Sequence, residues 1–230
     1  WNLAYQHQLG SWSFEAAYVG NRGRNILASI NLNAGTVLGA DNAGRPYFTT
    51  FGRTASVNSW IPVKSTYHSL QAKVDRRFSR GLLVTTSYTL GRSKSYSNGD
   101  SNGGIATPAD IERSWARTDQ DRLHNLVFSF FYELPVGPNG HWLRSGVLSH
   151  ILGGWQVGGF LIAQSGLPIG FSASGATLRA PGNTQRPDAG GTPKVLGGIG
   201  PGAPWFDTSV FSAPAPATWG NVGRNALLDG

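Results

Sequence analysis

The side chains that could perform acid–base or metal chemistry are few in this sequence, and their spacing favours structural roles. Glu15 and Glu133 both fall on predicted strands, where two carboxylates facing one cavity would suggest glycoside hydrolysis. Their strands are not neighbours along the chain, so we interpret them as solvated acids. The five histidines lack metal-ligand spacing, and there is no nucleophile elbow, Walker loop or dinucleotide fingerprint. We therefore expect no enzymatic activity, no catalytic residue, no bound metal and no cofactor.

A charged segment from Asp100 to Asp121 could either organise itself by ion pairs or meet a ligand at the cell surface. Its acids alternate with arginines, and exposed ion pairs contribute too little to stability to explain such a pattern. The segment begins with Asp100–Gly104, which resembles the start of a calcium loop, but Thr107 and Pro108 stand where a bidentate glutamate is needed. The candidate ligand-contacting residues, which include an aromatic residue from a later loop, are Arg113, Arg117, Asp119 and Trp205. The sequence does not identify the ligand.

The elements that must carry these side chains are β-strands. Charged residues make up only 13% of the chain, which has no methionine and 32 glycines, a composition typical of strands joined by turns. About six segments alternate apolar and polar residues with a period of two. Each has about 9 to 13 residues, enough to cross a bilayer at a tilt. They cover residues 1–9, 12–20, 68–78, 82–91, 124–134 and 154–166.

The charged side chains of these predicted strands follow the alternation. All but one fall on the polar face, which indicates that this face lines a lumen and the apolar face meets lipid. A charge on the lipid face at the midplane would cost roughly 2–4 kcal/mol. The exception, Arg76, lies two residues from a turn, where its side chain can reach the headgroups. The predicted lumen-facing charged residues are Glu15, Lys73, Asp75, Arg77 and Glu133.

Connection lengths distinguish a membrane barrel from a soluble sandwich. Gly10-Ser11 and Ser79-Arg80-Gly81 are short turns, whereas residues 21–67, 92–123 and 167–225 are long predicted loops. Short turns on one side and long loops on the other are typical of bacterial outer-membrane barrels, and sandwich strands are more often about 5 or 6 residues long. We therefore predict an all-β chain that forms an antiparallel transmembrane β-barrel segment with long extracellular loops.

The excess of basic over acidic residues limits the classes of partner that the chain can bind. The net charge is +7, but there is no basic helix, zinc spacing or RNP-like aromatic strand, so we expect no nucleic acid. The arginines concentrate in predicted loops and turns, which favours outer-membrane lipid headgroups and lipopolysaccharide as partners. A simply basic, solvated surface is the alternative.

Several stretches, in order, resemble the later barrel strands of TonB-dependent receptors of the Oar-like group. The resemblance covers nearly the whole chain, and the matching segments are residues 17–23, 67–82, 87–90, 121–127, 132–135, 153–157, 164–168, 205–207, 211–214 and 220–225. It implies a barrel of about 22 strands with an N-terminal plug. It also implies energised uptake through the TonB system. The chain begins at Trp1 without a methionine, so we expect a fragment whose plug and N-terminal domains lie outside it.

The leading functional prediction is therefore part of an outer-membrane TonB-dependent transporter of a Gram-negative bacterium. In this interpretation the chain supplies barrel wall and surface loops for uptake of a large, unidentified ligand. Two alternatives remain open. One is a structural or adhesive outer-membrane protein, and the other is a soluble carbohydrate-binding β-domain.

Overall fold

The computed structural model describes residues 1–96, 107–138 and 140–227, and most of the regular structure in them is β-strand. The prediction of an all-β chain is confirmed. The two short α-helices are α1 (Phe48–Phe51) and α2 (Val147–Leu152). The strands are β1 (Asn2–Leu9), β2 (Trp12–Asn31), β3 (Asn58–Ser79), β4 (Leu82–Ser95), β5 (Ala116–Arg117), β6 (His124–Glu133), β7 (Gln156–Gln164), β8 (Asp188–Ala189) and β9 (Phe211–Ser212).

The main sheet is an antiparallel meander. Its strands lie in the order β1-β2-β3-β4-β6-β7, the short β5 pairs with the end of β4, and β8 and β9 form a separate two-stranded sheet. Adjacent main strands of this meander follow one another along the chain. Within the described ranges, no helix has the length and apolarity that crossing a membrane requires.

Two tight turns fix the hairpins. Leu9 pairs with Trp12, so the first turn is Gly10-Ser11, and Gly10 has a φ of 60°. The second turn is Arg80-Gly81, where both residues have positive φ values of 50° and 77°. Positive φ at both central positions is the type I′ conformation, whose twist matches that of the flanking strands. Both predicted turns are therefore confirmed.

The strands on the long-loop side extend much further than the sequence predicts. β2 continues to Asn31 and β3 begins at Asn58, so the prediction of a loop over residues 21–67 is wrong for 21–31 and 58–67. The sequence conceals these extensions because Asn25 adopts a positive φ of 57° and Pro62 interrupts the pattern in β3. Smaller differences are the extension of β4 to Ser95, the end of β6 at Glu133 and the shorter β7.

The chain divides into two compact units. The strand unit comprises residues 1–21, 67–92 and 122–165, and the loop unit comprises residues 22–66, 93–121 and 166–230. Among the described residues, Ala17 is the only buried apolar side chain of the strand unit. The buried apolar side chains of the loop unit are Ala28, Ile30, Ala34, Val63, Leu178, Ala180, Val222 and Leu227. The loop unit thus has a conventional small core, whereas the strand unit exposes its apolar residues.

Candidate functional site

One face of the strand unit is aromatic from its first hairpin onward. Leu3 pairs with Tyr18 and Leu9 with Trp12, so the apolar residues of β1 and β2 share a face. We call this the aromatic face, and the opposite face the charged face. The next pair, Gln6 with Glu15, lies on the charged face.

Contacts between side chains of β2 and β3 show which residues of β3 lie on the aromatic face. The Tyr18 hydroxyl lies 2.6 Å from Nδ1 of His68, and the Arg76 guanidinium lies 5.5 Å from the centre of the Trp12 ring. Side chains alternate along a strand, so the residues of β3 with the parity of His68 and Arg76 all lie on this face. Arg76 is thus on the apolar face, as predicted, and a ring shields its charge.

The same face continues across β4 into β6, although its β4 residues after Leu83 are polar (Thr85, Ser87 and Thr89) and the apolar Leu82, Val84 and Leu90 lie on the charged face. The rings of Phe78 and Phe131 are 6.5 Å apart, and Leu83, between them on β4, pairs with Phe131. Glu133 has the same parity as Phe131, so it also lies on the aromatic face. Its Oε1 accepts a hydrogen bond of 3.2 Å from Nε2 of its cross-strand partner Gln156.

This placement of Glu133 differs from the prediction, which put all five strand charges on one face. Glu15, Lys73, Asp75 and Arg77 do share the charged face, where Lys73 Nζ lies 2.9 Å from Asp75 Oδ2. Glu133 was misplaced because both faces of β6 are apolar. The aromatic face carries Val127 and Phe131, and the other carries Leu126, Phe128 and Phe130.

Apolar side chains of the aromatic face are exposed to a degree that is unfavourable in water. Leu3 is 75% exposed, Tyr5 69% and Phe160 81%. Contiguous apolar patches of this kind on a folded chain indicate a surface that meets lipid or protein. An apolar band on the outside of a sheet of long antiparallel strands is the arrangement of membrane β-barrels.

A second apolar surface lies at the tight-turn edge of the strand unit, and the sequence analysis did not identify it. α2 and its flanks expose Trp142, Val147, Ile151 and Trp155, and the Trp155 indole donates to the Ile151 carbonyl at 2.8 Å. This segment follows β6, whose last residue, Glu133, donates its amide to the carbonyl of turn residue Gly81 at 2.7 Å. The available signal was the apolar pair Val147 and Ile151, four residues apart as on one helix face.

In the loop unit, the predicted ligand-contacting arginines are engaged in internal contacts. Asp110, with only 4% of its side chain exposed, lies 3.5 Å from Arg113 and 3.4 Å from Arg186, and the Ser114 hydroxyl donates to it at 3.2 Å. Arg113 also donates to the Gly220 carbonyl at 2.6 Å. Burial, and then the nearby charge of Arg186, lower the pKa of Arg113.

Arg117 and Asp119 are likewise used inside the loop unit. Arg117 forms a buried ion pair with Asp121, whose other oxygen accepts the Ser93 amide at 2.7 Å. The Asn225 side-chain amide donates to the Asp119 carboxylate at 2.6 Å and to the Arg117 carbonyl at 2.7 Å. These contacts join segments more than a hundred residues apart, so the charged segment stabilises the loops. The assumption that its ion pairs are exposed was wrong.

Trp205, the fourth candidate, lies apart from these clusters and is 37% exposed. Its carbonyl accepts the amides of Leu196 and Gly197 at 2.7 and 3.0 Å, which orders the segment around it. A ligand role for Trp205 stays a prediction. The calcium-like stretch Asp100–Gly104 lies outside the described residues.

A comparison with protein-family models finds one that spans almost the entire chain. The model is described as an outer membrane beta barrel domain and matches residues 1–229. No curated protein and no solved structure matches the chain.

Proposed function

We propose that this chain, which belongs to the outer membrane beta barrel domain family, forms part of the wall and the outer loops of a TonB-dependent transporter in a Gram-negative bacterium. The family membership establishes an outer-membrane β-barrel protein. The transport function, the TonB system as energy source and a large ligand as cargo are the proposal.

The observation that carries the proposal is the organisation of the long-loop side. β2 and β3 have 20 and 22 residues, about twice the 9–11 that a tilted strand needs to cross the membrane. The loops after β4 and β7 are held by buried ion pairs such as Arg117–Asp121 and Arg186–Asp110. Ordering many loop residues costs conformational entropy, so a fixed loop arrangement suggests recognition of something at the cell surface.

The charged face supports the same function. Glu15, Lys73, Asp75 and Arg77 would line a hydrated interior, where charges remain solvated. A structural barrel needs no charged interior, whereas a transporter needs a polar path for its cargo.

The test uses the full-length protein that contains this chain. Purified in detergent, it should bind the periplasmic domain of TonB in a pull-down, and a variant lacking its N-terminal region should not. Heat-modifiable migration on a denaturing gel shows in both cases that the barrel is folded. A folded full-length barrel that does not bind TonB would refute the transport proposal and favour a structural or adhesive protein. A full-length protein that is soluble and folded without detergent would favour a carbohydrate-binding β-domain.

A further inference from the structure

The extended parts of β2 and β3 form one side of a cavity in the loop unit with a basic lining. The cavity has a volume of about 410 Å³, and the cations that line it are Arg22, Arg24 and Lys64. Apolar and aromatic side chains complete it, among them Ile61, Val63, Tyr96 and Ile111. Among the described residues, no carboxylate lines it.

The three cations lack counter-charges within the described ranges. None of the ion pairs or side-chain hydrogen bonds observed there uses Arg22, Arg24 or Lys64, and all three side chains are exposed. The Lys64 ammonium is instead held 5.7 Å from the ring centre of Tyr96 and 5.4 Å from that of Trp115. Two aromatic rings thus fix a cation beside other cations.

Such an arrangement costs free energy unless an anion occupies it. Like charges on neighbouring strands repel one another, and holding their side chains in place adds an entropic cost. Several other arginines of the loop unit do have carboxylate partners, as Arg113 and Arg186 do with Asp110 and Arg179 does with Asp41. The cavity therefore brings together three cations that no carboxylate in the described parts of the chain pairs with.

The position along the strands indicates which kind of anion. Arg22 and Arg24 follow Tyr18 in β2 by four and six residues, and Lys64 precedes His68 in β3 by four, with the parity of the aromatic face in each strand. In membrane barrels, aromatic residues mark the interface with the headgroups. Cations that follow such residues are placed for lipid phosphates, which arginine binds with two parallel hydrogen bonds.

We propose that Arg22, Arg24 and Lys64 form a binding site for the phosphate of an anionic outer-membrane lipid headgroup. The apolar wall of Ile61 and Ile111 would contact the less polar part of the same molecule. The proposal depends on the outer-membrane location and not on TonB-dependent transport. A phosphate monoester is the shared chemistry, and a free phosphate ion is the alternative source.

The first test is a lysine footprint on the full-length protein. The protein is reconstituted in phosphatidylcholine vesicles with or without phosphatidic acid, whose charge gives the membrane a negative surface potential. Acetylation of Lys64 and Lys194 is then measured by mass spectrometry. Phosphatidic acid should slow acetylation of Lys64 but not of Lys194, an exposed lysine outside the cavity. Equal rates for Lys64 in both vesicles would overturn the proposal.

A second arm distinguishes the sources of phosphate. Inorganic phosphate added to protein in pure phosphatidylcholine vesicles should leave acetylation of Lys64 unchanged if a lipid headgroup is the ligand. Protection by inorganic phosphate as strong as that by phosphatidic acid would overturn the lipid assignment and identify a site for a free anion.

Charge-matched variants provide the third test. The triple substitution of glutamine for Arg22, Arg24 and Lys64 should weaken binding of a fluorescent phosphatidic acid roughly hundredfold, at about fivefold per cation. The control triple, R53Q/R92Q/K194Q, removes the same charge elsewhere and should change binding by less than threefold. Equal loss in both variants would refute a specific site. Heat-modifiability verifies folding, and the lysine footprint on the unmodified protein decides the question if the variant fails to fold. Binding of TonB should be unchanged in both.

Discussion

Replacing Asp110 by asparagine should loosen the loops without affecting the membrane strands. The carboxylate is almost fully buried between Arg113 and Arg186, and the Arg186 side chain is only 11% exposed. Asparagine keeps the shape but removes the charge, so both guanidinium groups lose their counter-charge. Removing one partner of a buried ion pair typically costs about 3–5 kcal/mol.

The contacts of Asp110 place the expected cost below that range. Both N···O distances, 3.5 and 3.4 Å, exceed the roughly 2.7–2.9 Å of the strongest charge-assisted bonds. Arg113 also keeps its hydrogen bond to the Gly220 carbonyl and its position 4.5 Å from the Trp219 ring centre. We therefore expect a loss of about 2–3 kcal/mol, which corresponds to a roughly 30- to 150-fold increase in local opening.

Hydrogen exchange of the full-length protein in detergent micelles measures this opening. The amides of Asp110 and Ser114, which donate to the carbonyls of Thr107 and Ile111 at 3.1 Å, should exchange faster by that factor. The matched control is Asp41→Asn, which removes the same charge from an exposed pair with Arg179 and should leave these amides unchanged. Unchanged exchange in D110N, or equal acceleration of the β6 amides, would refute the reasoning.

Three further predictions concern the turns, the faces and the pH response. Gly81→Ala should lower the unfolding midpoint more than Gly10→Ala. Both sites have positive φ, but only at Gly81 would a Cβ lie 3.0 Å from a backbone oxygen; equal midpoints would contradict this. In lipid vesicles, Phe160→Arg on the aromatic face should cost about 2–4 kcal/mol by urea unfolding, and Leu161→Arg on the opposite face clearly less; the reverse order would show that the opposite face meets lipid. The hydrogen bond from its arginine partner lowers the pKa of Asp41 below 3.8, so the stability from this contact is fully present above pH 3.8 and lost only as pH falls through the lower value. Exchange of its amide, corrected for intrinsic rates, should therefore be the same at pH 7 and pH 5, and a marked increase by pH 5 would be inconsistent with that pKa.

The features that the sequence predicts correctly are those set by neighbours in the chain. The turns at Gly10-Ser11 and Arg80-Gly81 follow from local conformational preference, and they fix the register of their hairpins. In β1 to β3 one face is apolar and the other polar, so alternation assigns the faces correctly. In β6 the same rule fails because Phe130 and Phe131 are both apolar. Only the pairing of β6 with β4 shows that Phe131 lies on the aromatic face and Phe130 on the charged face.

The features that the sequence does not predict depend on contacts between segments that are distant along the chain. Arg186 and Asp110 are 76 positions apart, and Asn225 meets Arg117 across 108 positions. Nothing in the local pattern of an arginine shows that a remote loop will bury it. The three charged candidates for ligand contact, Arg113, Arg117 and Asp119, are part of the loop framework. The cavity at Arg22, Arg24 and Lys64 could not be predicted, because the sequence pattern predicts a loop over these residues instead of two paired strands.

The order of the main strands has a consequence for how such a sheet assembles. Each of the strands β2, β3, β4, β6 and β7 pairs with the main strand that immediately precedes it in the chain. If the strands add in chain order, the growing edge is always the most recent strand, and its unpaired backbone groups are the template for the next. Closing even a long intervening loop adds little entropic cost, because that cost rises only with the logarithm of loop length. Translation order and assembly order can then coincide, and no strand has to be inserted between two that are already joined.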